Sequence, residues 1–309
     1  MNDLPQDEDL FAAAGRYGYL HPTYAEAFSE VGQVRHLRRG GTWMVTRGVP
    51  GSERRDAIVG YPRLICRDWL GLVEDLAETA ALADVVTVSA LTDALADLDE
   101  ELLRPAFGDL VRVEAQHHVI DLAAFWPSRE HRRATRRALQ LVDVEVEDAP
   151  AGSVAGWRAL GGEPLPGAEL GLSEQALERQ LALPGCVGFT VHAAEGPVAA
   201  AIVYVSGENA YLHALALSQA DPAPAHEARY ALVPAMVEDM RGRGLQLLDL
   251  GPAAEDADFF AGWTGLTRPA YRCGRIVDRV AYDELVAAAG TSGSAIFPAY
   301  RDPAARLRA

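Results

Sequence analysis

An α/β fold with mixed sheets is what this sequence predicts, and three observations predict it. Residues 185–282 read as three hairpin-connected strands followed by helix, strand, helix and strand. Residues 41–122 alternate strand-like and helix-like stretches. The chain has 309 residues and 49% hydrophobic content, enough for about two domain-sized units.

The elements follow in order. Residues 16–38 predict a helix, with Tyr24, Ala27, Phe28 and Val31 at helical spacing. "GTWMVTRG" and "RRDAIVGYP" predict two strands joined by the turn-forming "VPGSE". Residues 68–83 predict a helix, the β-branched "DVVTVSAL" a strand, residues 92–104 a helix and "LVRVEAQHHVIDL" a strand. Pro127 and Ser128 are start signals for a helix over about 128–141. "LVDVEVEDAP" reads as extended, "LGGEPLPGAELGLS" as a loop and residues 173–183 as a helix. "CVGFTVHAAEGPVAAAIVYVSGENAYLHALAL" reads as three strands divided by "AAEGP" and "SGEN". The loop "SQADPAPAHEA" leads to a helix "RYALVPAMVEDMRGRG", in which Pro234 sets a start or a kink. The strand "LQLLDLG", a short helix "DADFFAGWTG" and a last strand "PAYRCGRIVDRVAY" complete the pass.

Composition narrows the function. All 28 basic residues are arginine. A lysine Schiff base, with the usual attachment of pyridoxal phosphate, is therefore excluded, as is a P-loop lysine. The formal net charge of −16 opposes broad nucleic-acid binding, so DNA is not an expected partner, but a local basic site is compatible with it. Residues 68–103 hold ten acidic side chains and no basic one, a solvated helix face. Cys66, Cys186 and Cys273 lie far apart without a CxxC, which predicts reduced thiols rather than disulfides or zinc. No apolar run reaches the roughly 18 residues of a membrane span. The acidic N-terminus "MNDLPQDEDLFAAAG" lacks the features of a secretory signal, so a soluble, cytoplasmic protein is expected. His117 and His118 are adjacent on a strand and point to opposite faces, so they make no metal pair, and no metal site is expected.

Positive charge is concentrated in "PSREHRRATRRALQ". On a helix, Arg129, Arg132, Arg133, Arg136 and Arg137 fall within roughly a 140° arc. Guanidinium groups so placed repel one another unless anions lie opposite, and their fork suits phosphate. The anions are either a ligand's phosphates or the chain's own 44 carboxylates.

Several of these words, in this order, resemble the FemABX-type branch of the Gcn5-related N-acyltransferase (GNAT) superfamily. "SREHRRATRRAL", following a strand that ends "VIDL", resembles the basic helix that opens the second lobe there. "GYLHPTYAEAF" and "IVGYP" resemble segments of the first lobe. "ARYALVPAMVEDMRGRGLQLLDLGP" and "FFAGWTG" with "RPAY" resemble the late helix–strand unit and the closing "FKxxWG…P" segment. The resemblance covers most of residues 17–282, and the order of the pieces carries it. It implies two tandem GNAT-like lobes, at 1–125 and 126–285, with a tail at 286–309. It also implies acyl transfer to an amine, with aminoacyl-tRNA or acyl-CoA as co-substrate and no permanently bound cofactor. The acceptor would be the amine of a small molecule or a peptidoglycan-type precursor. Degenerate lobes that bind without catalysis are the alternative from another class. One departure supports that alternative: the family's "FK" is Phe259-Phe260 here, so phenylalanine holds the lysine position.

The resemblance also assigns sites. The five arginines become a donor-phosphate face, joined by Arg229 at the start of the late helix. The loop before that helix, "DPAPAHEARYAL", has no glycine, unlike the pyrophosphate loops of acyl-CoA relatives. His213 and Asp249 lie on strands that splay around the acyl group in this superfamily, and either is a candidate to accept the amine's proton. His226 and Glu227 are weaker candidates. Tyr61 and Trp263 match positions near the substrate cleft.

Overall fold

The structure, a computed structural model, describes residues 17–79, 84–150, 152–220, 222–252 and 257–305. The acidic N-terminus, residues 80–83, the start of "DADFF" and the last four residues lie outside the described residues. The fold is α/β, with parallel and antiparallel strand pairs, in two compact units. Unit 1 takes the described residues up to Ala27 together with Gln116–Arg268. Unit 2 takes Phe28–Ala115 and Pro269–Ala309.

In unit 2, strands β1 (Gln33–Leu37), β2 (Thr42–Gly48) and β3 (Arg55–Val59) form antiparallel pairs. Helix α2 (Trp69–Thr79) carries the chain to β4 (Val85–Leu91), which is parallel to β3. In unit 1, β6 (Asp143–Asp148), β7 (Cys186–Ala193), β8 (Gly196–Ser206) and β9 (Asn209–Leu217) pair antiparallel. Helix α7 (Pro222–Gly242) then leads to β10 (Leu247–Pro252), parallel to β9. Each unit thus has a run of antiparallel strands, three in unit 2 and four in unit 1, then a crossover helix and a parallel strand, the connection that parallel pairing requires.

The next strand of each repeat goes elsewhere. Strand β5 (Leu110–Asp121) follows β4 in the chain, yet its residues 117–121 pair β10. Strand β11 (Thr267–Ile276) follows β10, yet pairs β4. This exchange is why the units interleave in sequence, where the sequence reading had a boundary at 125/126. The segment from 286 is likewise built into unit 2 rather than a tail. Helix α9 (Arg279–Ala289), capped by Asp278, packs Ala281 and Leu285 with Val49, Val86 and Tyr300. The Tyr300 hydroxyl bonds Thr87 Oγ1 at 2.7 Å, and Arg301 Nε reaches the buried Asp56 at 2.7 Å.

Three predicted elements differ in extent. The helix expected over 16–38 is α1 (Pro22–Ala27) with a 3-10 turn on each side, after which β1 begins. Tyr24, Ala27 and Phe28 are buried at the predicted spacing. The helix stops because Gly32 lies against β2, where a Cβ would meet the Thr46 carbonyl oxygen at 2.0 Å. Of residues 92–104, only α3 (Glu100–Leu103) is helical. Thr92 and Asp93 donate their N–H groups to the carbonyls of Tyr271 and Leu64, across the sheet rather than along a helix. The last strand ends at Ile276, because the chain turns into α9.

Helix α7 begins seven residues earlier than expected, with Pro222 at its first position, where the missing N–H has no helical partner to lose. Pro234 lies inside it. The N–H it lacks would have gone to the Tyr230 carbonyl. That carbonyl instead accepts the hydroxyl of Thr135 at 3.1 Å, from α4 (Arg129–Ala138).

Helix α4 is the predicted arginine helix. Ser128 caps it by accepting from the His131 N–H, and the Ser128 N–H bonds the Gly262 carbonyl at 2.8 Å. The His131 ring donates through Nε2 to the Phe259 carbonyl at 2.9 Å, in the short helix α8 (Ala257–Ala261). The same ring lies so close to Gly262 that a Cβ there would fall 1.9 Å from its Cε1. The fold core of unit 1 lies between α7 and the sheet, with Leu232 and Met236 against Val187, Phe189 and Val203. Burial pushes the thiols of Cys66, Cys186 and Cys273 up to about 12, so all three are protonated at neutral pH.

Two substitutions loosen the arginine helix at independent points. Gly262→Ala overpacks His131 and is expected to cost about 1–3 kcal/mol. Thr135→Val strips the Tyr230 carbonyl of its donor, at about 1–3 kcal/mol if no water replaces it. Urea unfolding of each variant checks both.

Candidate active site

The site is built on the parallel pair β9 and β10. Their ladder has three residue pairs, Leu247 with Asn209, Leu248 with Ala210 and Asp249 with Tyr211, and stops there. Beyond it β9 continues to Leu217 on β8, while β10 stays with β5 through an irregularity between Asp249 and Pro252. The edges of β9 and β10 that face each other no longer pair past Asp249, which leaves a notch. At the same level β9 bulges. Leu212 pairs Val203 and Ala214 pairs Ile202, so His213 is the extra residue.

In-register neighbours share a sheet face. Val119, Asp249, Tyr211 and Tyr204 are such a row across β5, β10, β9 and β8. His117, two residues from Val119, joins that face. Its Nδ1 lies 2.9 Å from each oxygen of the Asp249 carboxylate. Asp249 is fully buried, His117 nearly so, and the Gly251 N–H adds a 2.7 Å bond to Asp249 Oδ1. Gly251 has φ +82°, a conformation that glycine adopts without strain. A carboxylate on Nδ1 fixes the proton there and leaves the lone pair on Nε2. Among the described residues that Nε2 has no hydrogen-bond partner.

His213 is buried on the same face. Its Nδ1 is 3.1 Å from the Tyr19 hydroxyl, and its ring meets Tyr204 edge-on at 4.9 Å. Tyr19 and Tyr204 contact its ring, and Tyr24 and Tyr211 pack on Tyr19 in turn. Burial drives the Tyr204 hydroxyl well above its ordinary value, so it stays a neutral donor, here to the Gln180 carbonyl at 2.8 Å.

The opposite face carries α7, α8 and α4. Phe260, at the position where the resemblance has lysine, is buried beside His118 at 6.1 Å. The Arg229 guanidinium covers the neighbouring Phe259 ring at 4.3 Å, a cation–π geometry, and its Nη2 is 3.5 Å from His226 Nε2. On α4, His131, Ala134 and Ala138 face inward, Arg129, Arg133, Arg136 and Arg137 are exposed, and Arg132 is half-buried. Among the described residues, Arg137 alone of the five has a carboxylate within ion-pair range, Glu227 at 3.9 Å. The carboxylates of the described residues therefore leave most of this face uncompensated.

Of the residues predicted from sequence, His213 and Asp249 come together at the notch, and the arginines of α4 come together with the start of α7. Trp263 is a core residue of unit 1, 2% exposed, packed on His131, Phe259 and Phe125. Tyr61 belongs to unit 2, half-buried against Phe28 at 5.5 Å. His117 and Tyr19 were not predicted. The opposite orientation of His117 and His118 was, and it is what sends His117 to Asp249. Among the described residues no group of three or more His, Cys, Asp or Glu could hold a metal ion, and no helix is long and apolar enough to cross a membrane.

No family model and no curated protein matches the sequence. Solved structures do match the fold. FemX superposes with a TM-score of 0.65 at 14% identity, over 92% of this chain and 98% of that one. The L-PGS structure from Bacillus licheniformis gives 0.54 at 14%, over 85% and 94%. The C-terminal domain of a putative lysylphosphatidylglycerol synthetase from Agrobacterium fabrum gives 0.53 at 14%, over 82% and 85%. The chain has a fold like that of FemX.

Replacing Asp249 with alanine leaves the buried His117 Nδ1–H and the Gly251 N–H without their acceptor. The expected loss is about 2–6 kcal/mol of unfolding free energy, about 1–3 for each orphaned donor. A variant that unfolds in urea at the wild-type midpoint would show that the pair is not held as described.

Proposed function

We propose that this protein is an aminoacyltransferase that forms an amide bond, taking its acyl group from an aminoacyl-tRNA. The acceptor is the amine of a small molecule or of a peptidoglycan-type precursor. The observation that carries the reading is the notch between β9 and β10 with the His117–Asp249 pair on one sheet face. The donor's carbonyl enters the notch, where strand N–H groups released from the ladder stabilise the oxyanion. The amine nitrogen attacks the ester carbon. His117 Nε2 accepts the proton that the nitrogen sheds, with Asp249 orienting the ring and stabilising its charged form. The carbon–oxygen bond to the ribose then breaks, and the proton passes to the departing hydroxyl. Asp249, first considered as a base, becomes the residue that positions one. His213, bonded to Tyr19, shapes the same face.

Two features support tRNA over acyl-CoA. The five arginines of α4 form a strip about 12 Å long, from the 1.5 Å rise per residue over Arg129 to Arg137, which suits a phosphate backbone better than one small anion. From Pro222 onward the segment before Arg229 is helix, without glycine, so it offers no glycine-rich cradle for a pyrophosphate. Arg229, fixed over Phe259, supplies the positive charge beside the position where phenylalanine replaces lysine.

Incubation with charged tRNA and candidate amines is expected to give an amide product that RNase abolishes. Turnover with acyl-CoA and no RNA would overturn the donor. Retained binding without turnover on either would point to a non-catalytic protein. Arg132→Ala with Arg136→Ala is expected to weaken tRNA binding and to lower its salt slope by about two. His117→Gln is expected to reduce kcat by about 10²–10⁴ with a smaller change in KM.

A further inference from the structure

Just before α4, the chain exposes a large aromatic ring. Trp126 is 77% exposed. The Arg132 guanidinium lies over one face of it, with Cζ 4.4 Å from the ring centroid. That guanidinium is anchored in turn, its Nη1 donating to the Pro127 carbonyl at 3.0 Å. Trp126 also lines a cavity of about 230 Å³, together with Asp121, Phe125, Trp263, Thr264 and Leu266. Phe125 is stacked on Trp263 at 6.3 Å, so the wall behind Trp126 is rigid and aromatic. The cavity opens beside the N-terminal end of the arginine helix.

We infer that Trp126 is a stacking platform for an unpaired nucleobase at the single-stranded end of an RNA whose backbone α4 holds. The inference rests on the proposed tRNA donor and names how its end is gripped. An aromatic ring interleaved with uncompensated arginines is the arrangement that single-stranded nucleic acid needs, since every base has a π face and every link a phosphate. With Arg132 on one side, the ring has one face left, and the cavity is smaller than the roughly 300–1,000 Å³ of drug-sized pockets, which suits one planar group. An anionic membrane is the competing partner for a tryptophan beside arginines. It fits less well here. The Asp121 carboxylate lies in the cavity wall, and Leu139 and Leu141 are at the far end of α4, while Leu266, 40% exposed, lines the cavity with Trp126. Bilayer binding scales with the apolar area inserted, and Leu266 adds little to Trp126.

The test uses the full chain and two fluorescein-labelled RNA hairpins, one blunt and one with a four-nucleotide 3′ overhang, titrated by fluorescence anisotropy. Wild type is expected to bind the overhang more tightly than the blunt form. Trp126→Ala should lose on the order of tenfold for the overhang and little for the blunt hairpin, while Trp126→Phe keeps most of the affinity. Circular dichroism checks that both variants fold. If Trp126→Ala binds the overhang like wild type while the arginine variants bind weakly, the platform is overturned and the donor reading stands. If wild type binds neither hairpin, both fall. Trp126-dependent sedimentation with phosphatidylglycerol vesicles, without RNA binding, overturns both in favour of a membrane contact.

Discussion

The early end of the ladder between β9 and β10 is the constraint on which the candidate site depends. Parallel strands separated by one crossover helix would ordinarily pair along their whole shared length. Here the pairing stops at Asp249 and Tyr211 after three residue pairs, because each strand is drawn to its other neighbour. On one side β9 bulges at His213 while it stays paired with β8, and on the other β10 stays with β5 through an irregularity. The groups freed at that point are backbone donors and acceptors that folding would not leave dry without use. Asp249 stands at the last rung, and its carboxylate serves two structural bonds before it serves any chemistry, to His117 and to Gly251. Structural and chemical demands thus fall on the same side chain.

The two sheet faces divide the work. The face toward α7 is apolar where it meets the sheet and basic where it meets solvent, through α4 and Arg229. The face with His117 and His213 is aromatic and hydroxyl-bearing, with Tyr19 and Tyr204 against the His213 ring. An acyl group lying in the notch would therefore have a cationic environment on its carrier's side and a hydrogen-bonding one on its acceptor's side. Arginine is suited to the first role in a chain of this acidity. It is charged at every physiological pH, and its stem and planar head pack on rings, as Arg132 does on Trp126 and Arg229 on Phe259.

Much of this was legible in the sequence where the signal was local. The hairpins from β7 to β9 announced themselves through alternation and the turns at "AAEGP" and "SGEN". The arginine helix announced itself through Pro127, Ser128 and the single-faced charge. Strand β1 did not, because it is exposed at four of its five positions to some degree and has no buried alternation to read. The start of α7 did not, because a Pro/Ala-rich stretch has the composition of a loop, although Pro222 is also a good first helical residue. The strand exchange was invisible because nothing in β5 specifies whether β4 or β10 will lie beside it. The same limit applies to the site. Asp249 and His213 were found from their strands, but the partner that gives Asp249 its role lies 132 residues away in β5.

Pro234 makes the arginine strip a ruler with a fixed zero. A helix surface repeats every turn, so two packed helices can exchange one register for another by sliding along their shared axis. Withholding one N–H breaks that periodicity, since a single carbonyl, that of Tyr230, is left open for Thr135. Sliding α4 by one turn would move the Thr135 hydroxyl away from it. The register of the α4 backbone against α7 is thereby fixed, and an anionic polymer lying along α4 would be measured from the same origin at every encounter.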